Sequence, residues 1–73
     1  MKRYTVHVAA ATRKPFESGY SEYRNVTVAS WLRRKSQIVR EHGGNIVTRW
    51  FREGVEVSKD DIVEEHARLW TNL

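Results

Sequence analysis

Fifteen residues in the middle of the chain, Ser30 to Gly44 (SWLRRKSQIVREHGG), constrain the fold more than any other stretch. Ser30 suits a helix N-cap, because its hydroxyl can accept from a backbone N–H left unpaired in the first turn. Trp31, Leu32, Ile38 and Val39 recur at helical spacing and form an apolar stripe. Gly43 and Gly44 supply the left-handed residue on which helices commonly end. The spacing predicts a helix over Trp31–His42, with Arg33, Arg34 and Arg40 on its polar side and Lys35 near the border. Alternating segments flank it, Tyr23-Arg24-Asn25-Val26-Thr27-Val28 before and Phe51-Arg52-Glu53-Gly54-Val55-Glu56-Val57 after.

The rest of the chain must supply a surface for that stripe, and 73 residues allow one domain, spanning 1–73. A chain of this size buries only about 60% of the surface its unfolded form exposes, so it has one core and no deep cleft. The chain contains no cysteine, which rules out disulfides and thiolate metal sites. No apolar run approaches the roughly 20 residues of a membrane helix. His7 and Thr5 interrupt any signal-peptide core near the start, so the expectation is a soluble, untargeted protein.

Lys2–Ala10 alternates, with Tyr4, Val6 and Val8 on one face and Arg3, Thr5 and His7 on the other, the pattern of a half-buried strand. Thr12–Ser21, punctuated by Pro15 and Gly19, is a loop longer than a hairpin needs. Its Phe16 and Tyr20 either face a partner or fold back onto the sheet. Glu22–Ala29 reads as the second strand, with Val26 and Val28 on one side and Tyr23, Asn25 and Thr27 on the other. Asn45–Arg52 is the third, apolar on both faces, which fits an interior strand or one covered on each side. Glu53-Gly54 makes a tight turn into Val55–Val57, and Ser58 with Asp61 begins a second helix over Lys59–Trp70. Ile62, Val63, Leu69 and Trp70 form its apolar face, while Glu64-Glu65-His66 read as a solvated one. The expected class is α+β: a small antiparallel sheet in a ββαββα order with one helix packed across it and a second at the C-terminal end. The expected core is Val6, Val8, Val26, Val28, Leu32, Val39, Ile46 and Trp50.

Chemistry is sparse. The three histidines stand 35 and 24 residues apart, and no glycine-rich loop leads from a strand into a helix. The expectation is therefore a protein that is not an enzyme and needs no metal or cofactor. Charge is the stronger signal: residues 1–40 carry nine Lys/Arg against two acids, and residues 41–73 four against seven. Cations beside aromatics are the raw material of protein interfaces. They point to Tyr23, Arg24, Arg33, Arg34 and Lys35 around the helix and to Arg13, Lys14 and Phe16 in the long loop. A small basic nucleic-acid-binding domain is the alternative, since the same cations would reward phosphates.

A cysteine-free chain of this length and order, opening MKRYTVHV and closing HARLWTNL, resembles the small phage-encoded regulators of host RNA polymerase. That resemblance implies a partner, bacterial RNA polymerase, contacted near the amino-terminal region of its β′ subunit. It also implies inhibition of initiation by σ displacement, readthrough of terminators, and a place in the host cytoplasm. It assigns no individual site residues. A monomer is expected, with direct nucleic-acid contact secondary.

Overall fold

The computed structural model describes residues 2–17 and 19–71. Four antiparallel strands, β1 (Tyr4–Ala10), β2 (Ser21–Val26), β3 (Ile46–Arg52) and β4 (Val55–Val57), form one sheet in the spatial order β2-β1-β3-β4. Helices α1 (Val28–Glu41) and α2 (Lys59–Thr71) follow β2 and β4, which gives the expected ββαββα order and α+β class. Because α1 returns the chain to the far side of β1, β1 and β3 become the two central strands. No helix among the described residues is long and apolar enough to cross a membrane.

Both helices lie on one face of the sheet. Tyr4, Val6 and Val8 from β1 and Trp50 from β3 point into a cluster with Val28, Trp31 and Ile38 of α1, and Ile62 of α2 packs against it. Trp50 is the keystone of this layer. Its ring meets Tyr4 and Trp31 edge-on, each at 5.4 Å between centroids. Five of the eight expected core residues, Val6, Val8, Val26, Val28 and Trp50, are buried, and Val39 and Ile46 are half-buried.

Leu32 is the exception, at 38% exposure. The cause is the helix phase. Thr27, not Ser30, caps α1: its hydroxyl accepts from the Ser30 N–H at 3.1 Å, and the Ser30 hydroxyl accepts from the Thr27 N–H at 3.1 Å. This reciprocal pair places Val28 in the first turn, so the buried stripe runs Val28, Trp31, Ile38. Leu32, about 100° further round than Trp31, falls on the rim. The helix ends as expected, with Gly43 at φ 89° and the Gly44 N–H donating to Val39 O at 2.9 Å.

The second strand is correspondingly shorter than its alternation suggests, and it is not regular. Tyr4 faces Val26 while Val6 faces Tyr23, so Arg24 and Asn25 together oppose one residue of β1. Asn25 takes φ 56° within this bulge. The extra residue turns Tyr23 to the same side as Val26, against the core, rather than to the opposite face. Asn25→Val is expected to destabilise the domain by about 1–2 kcal/mol, since a branched residue resists the left-handed region. Tm should fall by roughly 10 °C, whereas Asn25→Gly should leave the urea midpoint almost unchanged.

Beyond β3, Glu53 and Gly54 (φ 54° and 80°) form a two-residue hairpin turn into β4. Ser58 accepts from the Asp61 N–H at 3.3 Å and so opens α2 as expected. Val63 is 65% exposed, which leaves Ile62 as the inward residue of that turn. The side chains of Leu69 and Trp70, expected on the same apolar face, lie outside the described ones.

Candidate functional site

The eight residues singled out from the sequence separate onto two layers. Tyr23, Arg24 and Arg34 meet at the edge where β2 runs beside α1. Here Tyr23, Val26, Trp31 and Ile38 line a shallow cleft of about 200 Å3, with Arg24 and Arg34 at its margin. The Arg34 guanidinium lies 5.7 Å from the Tyr23 ring centroid. This contact depends on the bulge, because without it Tyr23 would face the other side of the sheet.

Arg33 and Lys35 flank Arg34 in sequence but not in space, because successive helical residues diverge by about 100°. Arg33 shares the outer side of α1 with Arg40, seven residues on. Lys35 falls at the spacing of the Trp31–Ile38 stripe and is exposed. Among the described residues, Arg33, Arg34, Lys35 and Arg40 form no ion pair, whereas Lys14, Arg24, Arg49 and Arg68 each have a carboxylate within 4 Å.

The loop residues Arg13, Lys14 and Phe16 sit apart from this cleft. Phe16 is half-buried and folds back over the sheet face opposite the helices, where the Arg49 guanidinium is 5.8 Å from its ring. Arg13 and Lys14 remain exposed at the loop surface. Tyr20 also folds back, stacking on His7 at 4.5 Å. Both rings fold back onto the sheet, and Tyr20 stays 53% exposed there.

The same face holds further residues, outside the eight singled out as partner-binding. His7 lies 3.1 Å from Glu22 and 4.6 Å from the Phe51 ring, and Arg49 is bonded to Glu56 at 2.6 Å. Arg24, then His7, hold the Glu22 carboxyl below its usual range. Cross-strand register creates these pairings (His7 opposite Glu22), and no spacing within one strand announces it. Among the described residues no three His, Asp or Glu side chains gather as metal ligands.

At the opposite end of the sheet, Tyr4 donates its hydroxyl hydrogen to Glu65 of α2. Glu65 is thus a docking contact between α2 and the sheet, not part of a solvated face. Around it, Lys2, Arg52 and Arg68 share a depression of about 310 Å3 with Asp61 and Glu64, so there Lys2 of the basic half meets the acids of α2. Burial, then the Glu65 hydrogen bond, push the Tyr4 phenol up to about 12 from its ordinary 10. A raised folded-state value favours the neutral phenol, so its contribution is intact below pH 10 and is lost as pH rises from 10 toward 12. Urea titrations across that window should show Tyr4→Phe losing less stability than the native chain.

Set beside known proteins, the chain matches no family, no curated protein and no solved structure.

Proposed function

We propose that this chain is a small binding protein, not an enzyme, that engages a protein partner through α1 and the adjoining edge of β2. The partner in this reading is bacterial RNA polymerase, at the amino-terminal region of β′, as the resemblance to small phage regulators implies. Occupying that region displaces σ from promoter complexes and favours readthrough at terminators. The protein then works as a monomer in the host cytoplasm.

One observation carries this reading: among the described residues the cations of α1 have no carboxylate partners, yet one of them lies on an aromatic ring beside a cleft. Outside α1 the acids of this chain take up Arg49 and Arg68 and, at the edge of the cleft itself, Arg24. A planar guanidinium over a ring offers a flat, amphipathic anchor of the kind that dominates protein interfaces. Phosphate binding fits less well. Arg33, Arg34 and Lys35 radiate around the helix, so they do not form one stripe that could follow a duplex backbone.

A tagged copy of the chain, used to capture partners from nuclease-treated bacterial lysate, tests the proposal. RNA polymerase recovered in near-stoichiometric amount supports it. Loss of every partner on nuclease digestion, together with tight and salt-sensitive binding to random duplex DNA, contradicts it.

A further inference from the structure

We propose that the sheet face turned away from the helices is a second site, a stacking platform for single-stranded RNA. The central strands β1 and β3 set the His7 and Phe51 rings 4.6 Å apart on this face. The returning loop adds Tyr20, whose ring stacks on His7 at 4.5 Å with 25° between planes, and Phe16, 6.1 Å from Tyr20. Arg49 spans Phe16 and Phe51 at 5.8 and 5.6 Å and is anchored by Glu56.

This ribbon is not a buried core. Tyr20 is 53% exposed although one of its ring faces is occupied by His7. The solvent-open part of its ring is held in place by that contact, so a ligand ring that stacks on it meets an already ordered side chain. Unstacked bases are such rings, and sheets that bind single strands present aromatics on central strands in this way. A duplex keeps its bases inside its own stack and cannot reach them. Charge agrees in part: Arg13 and Lys14 on the returning loop are exposed, and Arg24 bonds Glu22, the carboxylate partner of His7, so a phosphate would compete with the chain's own acids for Lys14 and Arg24. Two carboxylates, Glu22 and Glu56, also stand exposed on this face. A ribose 2′-hydroxyl can donate to them, whereas deoxyribose has nothing to offer, and this selects RNA over DNA.

Fluorescence anisotropy of the full chain with a labelled single-stranded RNA of about twelve nucleotides tests the site. Expected are saturable binding that weakens with added salt, weaker binding to DNA of the same sequence, and shifts of the His7 and Phe51 ring resonances on titration. Tyr20→Ala should weaken RNA binding about tenfold, and Tyr20→Trp should restore it. The Arg33→Glu/Arg34→Glu variant, altered on the other layer, should keep most of its RNA binding, which separates this site from the polymerase-binding surface. Absence of saturable binding overturns the proposal, as does equal affinity for DNA or preference for duplex. Ring resonances of the native chain that stay put at saturation overturn it without reliance on any variant.

Discussion

Trp50→Ala is expected to leave the domain largely unfolded at 37 °C. The side chain is buried to 5% exposure and packs edge-on against both Tyr4 and Trp31, joining β1, β3 and α1. Removing a large aromatic from such a position costs about 3–5 kcal/mol in transfer and cavity terms. A core in a chain this short rarely supplies more than about 3–5 kcal/mol in all. Leu32→Ala provides the contrast, because Leu32 sits on the rim of α1. It should cost about 1 kcal/mol or less, against the 2–5 kcal/mol of a buried leucine. Circular dichroism with urea titration reads both. A large loss at Leu32 would mean that α1 is rotated from the phase set by its Thr27 cap.

Arg33→Glu/Arg34→Glu is expected to weaken association with RNA polymerase at least tenfold, about 1.4 kcal/mol, while the thermal midpoint stays nearly unchanged. Both side chains are exposed and neither forms an ion pair among the described residues, so folding loses little. Binding loses the attraction that steers encounter, and Tyr23 loses the guanidinium that lies over it. Arg34→Lys sharpens the point, because it keeps the charge but not the planar fork. If charge alone mattered, it would bind like the native chain; a substantial loss assigns the effect to the Arg34–Tyr23 contact. Kinetic traces at two salt concentrations separate these contributions, the first acting on the association rate and the second on dissociation.

Periodicity made the architecture legible, because four alternating segments and two helical stripes admit few arrangements at this length. The Ser58 cap and the Gly43 stop were also readable, since each acts within a few residues of itself. Legibility failed where two local solutions compete. Thr27-Val28-Ala29-Ser30 contains two capping residues three apart, and alternation of Val26 with Val28 favoured a longer strand. The reciprocal Thr27–Ser30 bonds decide the matter, and with it the fate of Leu32. Register was hidden altogether. The bulge at Asn25 moves Tyr23 onto the helix side and so makes the Arg34 contact; an asparagine within a strand pattern favours the left-handed region, but that preference does not by itself fix the register. The candidate binding residues were recognisable as types, cations beside aromatics. Their division between two layers follows from the loop folding back, which sets Phe16 over the sheet face opposite the helices, beside Arg49.

Equilibrium binding of the purified chain to purified bacterial RNA polymerase, with the native sequence and Arg33→Glu/Arg34→Glu side by side and random duplex DNA as competitor, tests the central claim most directly. The account predicts saturable binding of the native chain, little competition from DNA, and at least tenfold weaker binding of the double variant with its fold intact. Equal binding by the two chains would remove the α1 surface from the interface, and no binding to polymerase by a correctly folded native chain would contradict the proposed function itself.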